Sequence, residues 1–161
     1  MAEEEQELGS RLEEGGATLL RLSNEMVRAQ KRFFGKGPMK AKSYIVDDML
    51  FIVMRGGFTT AEKTMLDFGQ QDKVRDFRQT FENEMTERLT DMVEQITGRR
   101  VLTYQSQILF EPDVVIEMFV FDQTATVEAR AATSVGQLED EATGEADDRS
   151  ALDPPAADNE Q

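Results

Sequence analysis

A helix-strand-strand pattern occurs twice in this chain, and the repetition limits the folds open to it. Gly35-Lys36-Gly37-Pro38 closes an amphipathic run and is followed by a mixed strand, an acidic turn at Asp47-Asp48 and the apolar stretch Met49 to Met54. Gly98-Arg99-Arg100 closes a second amphipathic run, followed by a strand from Val101 to Phe110, an acidic turn at Glu111-Pro112-Asp113 and an apolar strand from Val114 to Phe121. Used twice, the unit predicts one small α+β domain arranged about a pseudo-twofold axis.

The spacing of apolar residues supports each element. Leu19, Leu22, Met26, Ala29 and Phe33 recur at steps of three and four, with Leu20, Val27 and Phe34 alongside, so a helix with a broad buried stripe is expected. Ser10 and Glu13 have capping-box spacing, but Gly15-Gly16 follows, and two glycines cost a helix about 2 kcal/mol relative to alanine. A secure helix is therefore expected only from about Ala17. Lys40 to Val46 reads as a strand, and Met49 to Met54 as a central strand covered on both sides. Thr59 and Glu62 have capping-box spacing at the start of a short helix that Gly69 ends. Val74, Phe77, Phe81, Met85, Leu89, Met92 and Ile96 predict the longest helix, from about Gln71 to Thr97, with Asp76, Glu82, Glu84, Glu87, Arg88, Asp91 and Glu94 outside. Leu102, Tyr104, Ser106, Ile108 and Phe110 alternate with Thr103, Gln105, Gln107 and Leu109, as in a half-exposed strand. Val114 to Phe121 is apolar with one charge, Glu117.

The expected order is α-ββ-α-α-ββ, a two-layer α+β sandwich. It has a four-stranded, mainly antiparallel sheet of two hairpins, with the two long helices on one face. The central strands are apolar on both sides, and two layers bury only one of them. Homodimerisation through the open sheet face or an edge is therefore expected.

The chain has no His and no Cys, which excludes serine triads, thiolate chemistry and zinc sites, and leaves only carboxylate catalysis or an oxygen-ligated ion. The formal net charge is -14, but residues 15–124 hold 16 acids and 15 bases. The excess sits at the ends: six acids and one base in residues 1–14, ten acids and two bases in residues 125–161. Residues 1–16 are therefore read as an acidic flexible segment, 17–124 as the single domain, and 125–161 as an acidic, mostly disordered tail. No apolar run approaches the roughly 20 residues of a membrane span, and the acidic start is unlike a signal peptide. A cytoplasmic protein is expected, peripheral to a membrane only through a protein partner.

Two sites stand out. Gly56, Gly57, Thr59 and Thr60 precede a helix start, where free N–H groups and the dipole favour anions. With Arg55 and Lys63 they form a candidate anion or ligand site, and the competing reading is an ordinary capped turn in which Glu62 takes part of that preference. Arg28, Lys31, Arg32, Lys36, Lys40 and Lys42, with Arg99 and Arg100 at the matching point of the second unit, form a candidate patch for nucleic acid phosphates, an acidic partner loop or the chain's own acidic tail; the competing reading is solvated helix ends. The net charge argues against nucleic acid. The paired acids at the hairpin tips read as turn formers, and the methionines as core. No catalytic residue, cofactor or metal is assigned.

Gly35-Lys36-Gly37-Pro38, Arg55-Gly56-Gly57-Phe58-Thr59, Ala61-Glu62-Lys63, Thr97-Gly98-Arg99 and Pro112-Asp113, taken in order and spacing over about residues 18–122, resemble the MpsC-like family. This is the C component of the sodium-translocating membrane-potential-generating system. The resemblance implies a soluble accessory or regulatory protein for a membrane system linked to cation-coupled inorganic-carbon uptake. A non-enzymatic accessory role is the expectation, and an anion- or nucleotide-sensing module using Gly56 to Lys63 is the alternative.

Overall fold

A computed structural model describes residues 2–126. Of the expected acidic tail, 125–161, the first two residues end the last strand, and residues 127–161 lie outside the described residues. The elements are α1 (Ala2–Phe34), β1 (Lys40–Val46), β2 (Met49–Arg55), α2 (Thr60–Asp67), α3 (Gln71–Thr97), β3 (Arg99–Leu109) and β4 (Val114–Thr126). The sheet order is β1-β2-β4-β3, with every neighbouring pair antiparallel. Each hairpin therefore contributes one central and one edge strand.

The pleat sorts side chains to two faces. Leu50, Ile52 and Met54 of β2 and Val115, Glu117, Phe119 and Phe121 of β4 are buried. They pack with Leu22 and Met26 of α1 and with Met85, Leu89 and Val93 of α3, apart from Glu117. The alternate residues, Met49, Phe51 and Val53 on β2 and Ile116, Met118 and Val120 on β4, lie on the opposite face and are only partly buried. They pair directly across the strands as Met49 with Val120, Phe51 with Met118 and Val53 with Ile116.

Three departures from the sequence reading have clear causes. First, α1 begins at Ala2 and runs unbroken through Gly15 and Gly16, not from Ala17. Glu3, Glu4 and Glu5 sit in its first turn, favourably placed for the dipole, and Arg11 pairs with Glu7 at 2.8 Å. Once the packed half of the helix has nucleated, each added residue gains one backbone hydrogen bond. Residues 3–17 are exposed, so this arm leans on no other element.

Second, the buried stripe of α3 is Val74, Arg78, Glu82, Met85, Leu89, Val93 and Glu94, and Phe77 is 47% exposed. Glu82 and Glu94 therefore face inward, not outward. Glu94 earns its place by accepting the Val101 N–H at 2.8 Å, at the start of β3. Third, a register irregularity around Val101 turns that residue inward and leaves Leu102 58% exposed.

Gly98 ends α3 with φ +65, and its N–H closes on the Glu94 carbonyl at 2.8 Å. A Cβ there would meet nothing within 4 Å, so the cost of a side chain is purely conformational. Gly98→Ala is expected to lower stability by about 1 kcal/mol, read from the urea midpoint. A loss near zero would mean the left-handed cap does not hold.

Candidate functional site

The segment from Gly56 to Lys63 folds as a capped helix start. The Thr59 hydroxyl accepts the Glu62 N–H at 3.2 Å, and the Thr59 N–H donates to Glu62 Oε2 at 2.6 Å. Glu62 is 3% exposed and carries a bidentate pair with Arg78: Nε to Oε1 at 2.6 Å and Nη2 to Oε2 at 3.0 Å. Arg78 Nη2 also donates to the Gly57 carbonyl at 3.2 Å, and Lys36 Nζ to the Phe58 carbonyl at 3.1 Å. The carboxylate of Glu62 thus already occupies the position an anion would take at this terminus. Thr60 and Lys63 are exposed at its rim, and Arg55 lies at the end of β2.

The basic residues line different grooves and meet different partners. Lys40 and Lys42 share a groove with Arg55, between α1 and β1. Arg28 and Arg32 line a second groove with Arg88 of α3, where Arg28 pairs with Glu25. Lys31 is exposed on α1. Arg99 stacks its guanidinium 4.1 Å from the Phe121 ring and reaches the Asp47 carbonyl at 3.5 Å, while Arg100 pairs with Asp122 at 3.5 Å.

The densest polar chemistry lies between helices and sheet, at residues the sequence reading did not select. Arg78 is 2% exposed, with its guanidinium carbon 4.4 Å from the Phe34 ring and 4.9 Å from the Phe58 ring. Glu117, fully buried on β4, accepts the Tyr104 hydroxyl at 2.6 Å and the Gln30 amide at 3.4 Å. Glu82, 2% exposed, faces the same interior, with its Oε2 and the buried Ser106 Oγ each lacking a hydrogen-bond partner. The cluster therefore joins α1 (Gln30), α2 (Glu62), α3 (Arg78, Glu82), β3 (Tyr104, Ser106) and β4 (Glu117).

One arginine serves three buried carboxylates, and their protonation follows. Burial pushes Glu62 up, but the hydrogen bonds and charge of Arg78 and the bonds from Thr59 outweigh it and hold Glu62 below its ordinary value. Burial raises Glu82, opposed in part by the Ser106 hydroxyl and the Arg78 charge. Burial and then the Glu82 charge push Glu117 up to about 7, against the pull of Tyr104, Ser106 and Arg78. Ser106 lies near enough to favour both charged forms, yet completes a hydrogen bond of ordinary geometry with neither. Burial and then the Glu117 charge raise the Tyr104 phenol, which stays protonated and keeps donating. The arrangement can hold or release a proton near neutrality inside the fold. Among the described residues, no group of three or more acidic, His or Cys side chains is gathered as a metal would require.

A family model described as the Na+-translocating membrane potential-generating system (MpsC) matches residues 16–123. The chain belongs to the MpsC family. The match covers nearly all of the α+β fold, leaving out the exposed first half of α1. No curated protein and no solved structure matches the chain. Among the described residues, no helix is long and apolar enough to cross a membrane. The family description concerns a membrane system.

The buried cluster was partly visible in the sequence. Glu117 is the one charge in an otherwise apolar run, and Arg78 and Glu82 fall in step with Val74, Met85, Leu89 and Val93. Both signals are weak alone, because a charge at an inward position is usually a sign that the stripe has been drawn one residue off.

Proposed function

We propose that the chain is a non-enzymatic, soluble accessory component of the membrane-potential-generating system for which its family is named. It works in the cytoplasm by association, and first as a homodimer. The observation that carries this reading is the sheet face turned away from the helical core. Six apolar side chains, Met49, Phe51, Val53, Ile116, Met118 and Val120, form its centre and are only partly buried. Exposed Lys40, Lys42 and Tyr44 flank them on one edge, and exposed Thr103, Gln105 and Gln107 on the other. An apolar centre with a polar rim is the composition of an association surface, and apolar patches beyond roughly a few hundred Å² are uncommon on monomers.

The two-layer sandwich and the pseudo-twofold relation belong to the same reading. The hairpins meet at β2–β4, and each is preceded by one of the long helices. The interior carboxylates support a structural role over a catalytic one, since Glu117 and Glu82 are sealed from solvent.

Light scattering coupled to size exclusion tests the dimer. The full chain is expected to run as a dimer, and the Phe51→Glu, Met118→Glu double variant as a monomer with unchanged helical circular dichroism. A monomeric parent chain at concentrations of about 100 μM would remove the homodimer. Co-purification from mild detergent tests the accessory role, and a preparation carrying no membrane protein under any condition would count against it.

A further inference from the structure

We propose that the groove between α1 and the edge strand β1 receives an extended acidic segment of a partner protein, which adds to β1 as a fifth strand. The proposal rests on the reading of the chain as an association module and names one thing it associates with.

The first observation is topological. β1 pairs only with β2, so its other side presents backbone donors and acceptors that no strand of the sheet uses. Such an edge is a template for an added strand. The second is shape: the groove has a volume of about 590 Å³ and runs along this edge. The third is charge. Lys40, Lys42 and Arg55 line the groove, and no Asp or Glu does. Among the described residues, none of these three bases takes part in an ion pair with an acidic side chain. In a chain of net charge -14, a groove whose charged lining residues are all bases opposes the general trend. The other edge strand offers Thr103, Gln105 and Gln107 at the corresponding positions, with no charge.

Strand geometry then specifies the segment. Lys40 and Lys42 stand two apart and so on one side of β1, where directly opposed acidic residues two apart would meet them. The alternate residues of the added strand would turn toward α1, where Leu20 (63% exposed) and Val27 form an apolar wall. The fitting sequence therefore alternates acidic and apolar residues over about the seven positions of β1. A second copy of β1, paired antiparallel over the full strand, would set Lys40 opposite Val46 and Lys42 opposite Tyr44, and so offers the lysines no acidic partner.

The test measures fluorescence anisotropy of a labelled, capped heptapeptide alternating Val and Glu, titrated with the full chain. Saturable binding that weakens with salt is expected. The Lys40→Glu, Lys42→Glu double variant, altered only at exposed positions, is expected to lose at least about tenfold in affinity. A peptide with its central Val replaced by Pro, which cannot complete the ladder, is expected to bind much more weakly. Equal affinity for a Val-Lys peptide, an unchanged affinity in the double variant, or binding of phosphatidylserine vesicles without the peptide would each overturn the proposal. Light scattering on the same samples separates this from the dimer. A monomer that binds the peptide retires only the dimer, and a dimer blind to the peptide retires only the fifth strand.

Discussion

Arg78→Ala is expected to cost about 3–5 kcal/mol, a large part of the stability of a domain this size. Deleting the guanidinium leaves Glu62 buried at 3% exposure without its bidentate partner. It also frees the Gly57 carbonyl and empties the space between the Phe34 and Phe58 rings. The damage reaches the capping box, because the carboxylate that receives the Thr59 N–H is the one Arg78 holds. Arg78→Lys keeps the charge but cannot bridge both carboxylate oxygens and stack on two rings, so a smaller but clear loss is expected. Urea denaturation followed by circular dichroism gives both values. A loss under about 1 kcal/mol for alanine would show that the pair does not anchor α2 to α3.

Stability is expected to fall as the pH rises through neutrality, and Glu117→Gln is expected to remove much of that fall. Glu117 has an ordinary value of 4.5 and is pushed up to about 7 in the fold by burial and the Glu82 charge. Between these values the native state binds more protons than the unfolded state, so stability decreases with pH. The contribution is complete below the unfolded value and is lost as the pH passes about 7. The separation amounts to about 3 kcal/mol. Glu82, also raised, acts in the same direction. Glu62, held low, acts oppositely: its stabilisation is present above the unfolded value and is lost only as acid protonates it.

Glutamine matches the shape of the protonated acid, and its carbonyl can still accept the Tyr104 hydroxyl. The measurement is the urea midpoint of both proteins at about pH 5, 7 and 8.5. Parallel curves for the two would mean that Glu117 does not take up a proton in the fold.

Much of the backbone was legible without the structure. The span of α3, the two-residue turn at Asp47-Asp48 and the Thr59–Glu62 capping box all follow from local rules, and all are found as the sequence predicts. Local rules work there because each element is set by neighbours in the chain: a periodic stripe, a turn pair, a glycine stop. They failed at the first half of α1, where the intrinsic cost of Gly15 and Gly16 was weighed without the gain from extending an existing helix. They failed again at Glu82 and Glu94. A rule that assigns charge to the outside has no means of knowing that Arg78, Ser106 or the Val101 N–H stands on the other side.

The candidate surfaces divide in the same way. The sequence alone established two helix-hairpin units, a nearly neutral domain between acidic ends and a family pattern, because spacing, composition and motif order are properties of the chain. Only the tertiary structure decided which charges meet. It set Lys40 and Lys42 in one groove with Arg55, and closed Arg78 onto a glutamate 16 residues earlier. It also joined Glu117 to Tyr104 and Gln30 across three elements. Such encounters depend on strand register and helix rotation, and a turn of about 100° per residue is enough to exchange a solvated face for a buried one.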